Sequence, residues 1–144
     1  MALPRVLFLC IGNSCRSQMA EGYARAYGSD VMVPVSAGLA PAAIVSSLTL
    51  KVMKEKNIDL ENAVPKGIEE VLKDGPADLI VNITCRRLPF LVSVPVEDWN
   101  VRDPIGEKES VFREVSSEIE NRVMRLVLNF RNQAARPTAA RRPL

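Results

Sequence analysis

The stretch "RVLFLCIGNSCRSQMAEGYAR", Arg5 to Arg25, decides how the chain is read. It begins with an unbroken apolar run, Arg5 to Leu9, of the kind expected for a strand buried on both faces of a parallel sheet. From Ser17 the period changes. Ala20, Tyr23, Ala24 and Tyr27 fall three or four residues apart, on one face of a helix, and Gly28 is expected to end it. Between strand and helix lies a short loop with a cysteine at each end, Cys10 and Cys15, and an arginine, Arg16, just beyond.

The same alternation recurs downstream. "VMVPVSAG", Val31 to Gly38, reads as a second strand, with Pro34 marking it as an edge strand. Leu48, Val52 and Met53 have helical spacing, and Ile68, Val71 and Leu72 suggest a short helix. "ADLIVNIT", Ala77 to Thr84, is a third strand and "VEDWNV" a short fourth. Phe112, Val115, Ile119, Val123, Leu126 and Phe130 step along a long last helix, with Ser110 as its expected N-cap. Trp99 reads as core. Strands alternating with helices imply right-handed crossovers and an α/β fold, a parallel sheet with helices on both faces. Such folds bind ligands at the carboxyl ends of the strands. Cys10, the stretch after Thr84 and the stretch after Val101 all fall there.

Composition narrows the chemistry. The 144 residues form one domain, expected over 1–130, followed by a basic, disordered tail over 131–144. That tail holds Arg131, Arg136, Arg141 and Arg142 and no acid, so the rest carries a net charge of −2 out of the chain's +2. The domain is therefore not basic, which argues against nucleic acid as its partner. No apolar run reaches the roughly 20 residues that span a bilayer. The N-terminus lacks the length and cleavage site of a signal peptide, and a cytoplasmic location is expected. Its three cysteines are then reduced thiols. There is no histidine, which excludes Ser-His-Asp and Cys-His mechanisms and any His-containing metal site; no metal site is expected.

The loop suggests its own chemistry. The N–H groups of Ile11, Gly12, Asn13, Ser14, Cys15, Arg16 and Ser17 can curl into an anion-binding nest at a helix N-terminus. Gly12 and Asn13 tolerate the positive φ such a curl needs. The Arg16 guanidinium adds a planar fork for two oxygens of a tetrahedral oxyanion. Cys10 sits below, where the same amides and the Ser17 hydroxyl favour a thiolate nucleophile. The plainer alternative is an inert buried Cys10 and a surface Arg16. C-x5-R alone does not decide between them; the strand before and the helix after do.

"VLFLCIGNSCRSQMAEGYAR" resembles the phosphate-binding loop of the low-molecular-weight protein tyrosine phosphatase superfamily, and "GNSCRSQMAEG" is most similar to its arsenate reductase branch. The resemblance continues in "SAG" (Ser36 to Gly38), "DLIV" (Asp78 to Val81) and "DWNVRDPIG" (Asp98 to Gly106), and covers all but the tail. It implies a four-stranded parallel sheet with helices on both sides. It makes Cys10, Arg16 and Asp103 the catalytic set, with Asp103-Pro104 supplying the acid that protonates the leaving oxygen. Taken alone, Asp103-Pro104 reads equally as a turn. Phosphatase members carry an aromatic residue after this dipeptide; here Ile105-Gly106 follows.

The reductase resemblance further implies a second thiol that attacks the Cys10 sulfur and releases arsenite. Cys85 is the candidate, with Arg86-Arg87 beside it, and a small structural cysteine is the alternative. Cys15 is a second redox candidate, through a protective disulfide with Cys10 or through simple loop packing. "CRRLPFLVSVP" holds one thiol where thioredoxin-recycled members keep two. No bound cofactor is expected. The implied partners are an oxyanion (arsenate or phosphate) and an external thiol reductant, glutathione with glutaredoxin ahead of thioredoxin. The alternative function is a phosphatase acting on phosphotyrosine or a small phosphomonoester through a Cys10 phosphoenzyme.

Overall fold

A computed structural model describes residues 2–135. The elements run β1 (Arg5–Cys10), α1 (Arg16–Gly28), β2 (Val33–Gly38), α2 (Ser47–Lys54), α3 (Ile68–Lys73), β3 (Leu79–Asn82), β4 (Val96–Asp98) and α4 (Glu109–Ala135). All strand pairs are parallel, in the order β2-β1-β3-β4. β1 is central, and its apolar run is divided between two cores. Val6, Phe8 and Cys10 point toward α1, α2 and α4; Leu7 and Leu9 point to the opposite face, with Val71 and Ile80. Side chains alternate across a strand, so only a continuous apolar run satisfies both faces. Pro34 lies on the edge strand β2, where its missing N–H leaves no ladder bond unmade.

α1 and α4 pack closely. Gly28 ends α1 as expected, but without a left-handed φ. The glycine is needed for approach instead: a Cβ there would lie 2.6 Å from Val127 Cγ2. The α4 stripe of Phe112, Val115, Ile119, Val123 and Leu126 is buried as its spacing predicts, with Phe130 packed at the margin. Ser110 is not the N-cap, because the helix already begins at Glu109, and the N–H groups of Val111 and Phe112 donate to the Lys108 carbonyl. The strands are also shorter than read: β3 stops at Asn82 rather than Thr84, and β4 at Asp98 rather than Val101. Beyond those points the chain leaves the ladder to build the site.

The expected tail boundary moves. Residues 131–135 are helical, and Arg131 holds Asp30 through two bonds of 3.0 Å while also donating to the Tyr27 carbonyl at 2.5 Å. An arginine with three acceptors waiting on α1's end is a helix residue. Arg136, Arg141 and Arg142 lie outside the described residues. Among the described residues no helix is long and apolar enough to cross a membrane.

Candidate active site

The carboxyl ends of β1 and β3 and the loop after β4 converge on one place. Cys10, the last residue of β1, is buried. Its Sγ lies 2.8 Å from the Ser17 Oγ and accepts the Asn13 N–H at 3.2 Å.

The loop from Ile11 to Cys15 curls because its carbonyls are claimed from outside. Leu39 N donates to the Cys10 carbonyl (3.1 Å), Ala40 N to Ile11 (2.8 Å), Ala42 N to Gly12 (2.9 Å) and Ser46 N to Ser14 (3.2 Å). The Ser14 hydroxyl joins this seam, donating to the Ile44 carbonyl. With these carbonyls turned toward 39–46, the Asn13 N–H faces the thiol. The run after β2 is thus half of the site. Sequence reasoning missed it, since "LAPAAIVS" carries no chemical side chain. Gly38 permits the seam: a Cβ there would sit 2.7 Å from the Ile11 carbonyl oxygen and 2.9 Å from Asn13 N. Of the two residues expected to take positive φ, only Asn13 does (φ 51).

Asn13 is fully buried and is the hub of the loop. Its Nδ2 donates to Ser17 Oγ (2.7 Å) and Ser36 Oγ (3.0 Å). Its Oδ1 accepts from Gln18 Nε2 (3.0 Å) and from the Lys66 backbone N–H (2.9 Å). A backbone N–H only donates, so the amide orientation is fixed. Ser17 therefore accepts from Asn13. With Ser17 fully buried, its own proton is left for Cys10.

Arg16, the first residue of α1, is 3% exposed. It does not swing free as a surface clamp. Nη1 donates to the carbonyls of Ile83 (2.7 Å) and Val101 (3.1 Å), fixing the guanidinium plane between β3 and the loop after β4. Nη2 lies 3.5 Å from Asp103 Oδ2. Asp103 is half-exposed; its other oxygen accepts the Ile105 N–H at 3.1 Å. Turn residue and partner of the site arginine are therefore the same residue.

Cys85 follows β3 in a left-handed conformation (φ 62). Asn82 builds that turn. It accepts from the Thr84 N–H and hydroxyl at 3.0 and 2.6 Å and donates to the Arg86 carbonyl at 2.9 Å. Neither Asn82 nor Thr84 was anticipated as a site residue; a polar pair closing an apolar strand was the available signal. The exposed Cys85 thiol lies 3.5 Å from Arg16 Nη1 and donates to the Val101 carbonyl at 3.2 Å. Beside it opens a groove of about 800 Å³, lined by Arg86, Arg87, Leu88, Phe90 and Leu91 among others. Cys15 differs on every count. It is 4% exposed, and burial pushes its thiol up against the opposing pull of Thr49 and Ser14.

Residues 5–136 match the family model for low molecular weight phosphotyrosine protein phosphatase. The chain is 33% identical over 129 residues to a glutaredoxin arsenate reductase of Synechocystis, spanning 87% of this chain and 97% of that one. It is 36% identical over 124 residues to an arsenate reductase of Bacillus cereus, spanning 83% and 91%. A solved arsenate reductase in a phosphate-binding state superposes with a TM-score of 0.79 at 31% identity, over 89% of this chain and 99% of the other.

Proposed function

The chain belongs to the low molecular weight phosphotyrosine protein phosphatase family, and on that premise we propose that it reduces arsenate to arsenite. The observation that carries this reading is the exposed Cys85 thiol, 3.5 Å from the guanidinium that faces Asp103. Hydrolysis of a phosphomonoester needs one thiol and no second one there; reduction needs two.

The loop amides and the Nη2 side of Arg16 hold the oxyanion. The Cys10 thiolate attacks arsenic, and Asp103 gives a proton to the oxygen that leaves as water. Cys85 then attacks the Cys10 sulfur. The sulfur–arsenic bond breaks with its electron pair going to arsenic, so As(V) becomes As(III) and leaves as arsenite. Two thiols become a Cys10–Cys85 disulfide, which supplies the two electrons. Cys15, buried and protonated, takes no part.

Regeneration needs thiols from outside, because the remaining cysteine, Cys15, is buried. Glutathione suits the groove beside Cys85. Arg86 and Arg87 have no acidic partner among the described residues, and the tripeptide brings two carboxylates and a thiol. The reductase relative that uses glutaredoxin favours this donor over thioredoxin.

The test is arsenite production from arsenate with glutathione and glutaredoxin or with thioredoxin, beside hydrolysis of an aryl phosphate, for wild type and Cys85→Ser. Turnover is expected with glutathione and glutaredoxin, and the variant should stop after adduct formation. Aryl phosphate hydrolysis with no arsenite under either reductant overturns the reductase reading. Arsenite turnover that survives loss of Cys85 removes its role, and faster turnover with thioredoxin removes the donor assignment.

A further inference from the structure

The turn that carries Cys85 is unfavourable in two ways. Cys85 takes φ 62, a conformation that crowds a side chain; the other non-glycine residues found there among the described ones, Asn13 and Asn57, are asparagines, which tolerate it. Asn82 places a polar amide, 4% exposed, at the end of an otherwise apolar strand. Such features persist only where the surrounding structure holds them.

A closed set of bonds does so here. The Thr84 backbone N–H can only donate, so the oxygen of the Asn82 amide faces it, at 3.0 Å. That oxygen also accepts the Thr84 hydroxyl at 2.6 Å. The two Nδ2 protons go to the Arg86 carbonyl and to Asp98 Oδ1, each at 2.9 Å. The Thr84 hydroxyl oxygen in turn accepts the Arg86 N–H at 3.1 Å. The residues on both sides of Cys85 are thereby clamped. The clamp is tied to the next strand, because Asp98 of β4 is the register partner of Asn82. On its other side Asn82 pairs with Leu9, so Cys10 and Cys85 leave the sheet from neighbouring strands. The chain beyond β4 supplies the last contact: the Val101 carbonyl accepts from the Cys85 thiol at 3.2 Å and from Arg16 Nη1 at 3.1 Å.

We infer that Asn82, Thr84 and Asp98 are positioning residues for Cys85: together they hold its backbone in the left-handed turn that keeps the thiol at the guanidinium of Arg16. Their bonds go to the backbone around Cys85 and to one another. An extended chain after Ile83 would run on along the strand direction, whereas the turn confines the thiol to the site. Confinement matters because the rate of an intramolecular attack follows how well the two reacting atoms are held in reach of each other.

The inference rests on the reductase reading, in which Cys85 closes a disulfide with Cys10. Its test uses glutathione disulfide in place of arsenate. In the first step the exposed Cys85 thiol exchanges with it, releases one glutathione and keeps the other as a mixed disulfide. In the second step Cys10 attacks the Cys85 sulfur and expels the second glutathione. Two protein thiols are oxidised and one glutathione disulfide is reduced. Both steps are followed by peptide mass mapping of acid-quenched samples, which also separates a Cys10–Cys15 bridge from Cys10–Cys85. The proteins are wild type, Asn82→Ala, Asp98→Ala, Asp98→Asn, Thr84→Val and Thr84→Ser. Asp98 is exposed, so its variants keep the test alive where Asn82→Ala fails to fold, and thermal midpoints identify the folded proteins.

The first step, read in a Cys10→Ser background, should be unchanged throughout. Closure should slow by roughly 10- to 100-fold in Asn82→Ala, Asp98→Ala and Thr84→Val, the scale for a misplaced reacting group, with the mixed disulfide accumulating. Thr84→Ser keeps the hydroxyl and Asp98→Asn keeps an acceptor oxygen, and both should close at close to the wild-type rate. Folded Asp98→Ala and Thr84→Val proteins that close as fast as wild type overturn the inference. So does an equal slowing of the first step, or a failure of serine and asparagine to restore closure. A wild-type protein that never closes a Cys10–Cys85 bridge instead overturns the reductase reading on which the inference stands.

Discussion

The anion loop, Cys10 to Ser17, and the turn at Cys85 stand on adjacent strands and are built in opposite ways. In the first, Asn13, Arg16 and Ser17 are buried, the carbonyls are stitched to 39–46, and the thiol is held by two donors. In the second, the thiol is exposed, the backbone sits at φ 62, and an open groove adjoins it. Electrostatic stabilisation of an oxyanion requires donors fixed beforehand, since moving them during the reaction costs the benefit. In the proposed reaction, a thiol that reaches a neighbouring sulfur and then meets an external reductant requires access. Rigidity and exposure are divided between the two regions accordingly, and Arg16 joins them.

The contrast breaks most severely at its rigid side. Cys10→Ser should lower arsenite formation by about 10⁴ or more, the scale for loss of a nucleophile. Arg16→Lys should cost roughly 10²–10³, because a point charge cannot keep the Ile83 and Val101 carbonyls and still present a planar face to the anion. Steady-state kinetics with glutathione and glutaredoxin measure both. If Arg16→Lys retained wild-type rate, a prearranged clamp would not be what the loop provides.

Backbone substitutions give a finer comparison. Gly38→Ala should destabilise the fold by about 1–3 kcal/mol and lower activity, since its Cβ meets only backbone atoms of Ile11, Gly12 and Asn13. Leu91→Ala, at a fully exposed side chain of the groove, should change stability by no more than about 0.5 kcal/mol. Denaturant midpoints test the pair, and equal effects would erase the distinction between a packed loop and an open one.

The smallest effect is a slope in alkaline stability. Burial first, and then the Glu120 carboxylate it donates to, push the Tyr27 hydroxyl up to about 12 from an ordinary 10.0. Burial raises Tyr23 and Cys15 as well. Above about pH 10 the unfolded chain therefore releases these phenolic protons while the folded chain keeps them, so stability falls as pH rises toward 12. Below the ordinary values the contribution is constant. Tyr27→Phe should flatten the decline between pH 10 and 12 in thermal melts; an unchanged slope would place it elsewhere.

Several parts of this site were legible residue by residue. Cys10 and Arg16 announce themselves through the apolar strand before and the helical period after, whereas Asp103 stood out only through the family resemblance, since Asp103-Pro104 alone reads equally as a turn. Asn13 was legible only as a residue that tolerates positive φ. Its hub role depends on Ser36 and Lys66, 23 and 53 positions away. Gly28 was legible as the end of α1, but only Val127 reveals that it also makes room for α4. The start of α4 and the ends of β3 and β4 were displaced by the turns that carry Cys85 and Asp103, which override local propensity.

The chain alone thus determined the α/β alternation, the central strand with its two buried faces, and a thiol and an arginine at a helix N-terminus. Those follow from side-chain period and local chemistry, which are properties of neighbours in sequence. Tertiary structure alone decided that the Asn13 N–H faces the thiol, that Asn13 is clasped between Lys66 and Ser36, and that Cys85 rather than Cys15 is exposed. Those depend on hydrogen-bond partners and burial supplied by β2, β3 and the loop after β4, and no spacing within "CIGNSCRS" encodes them.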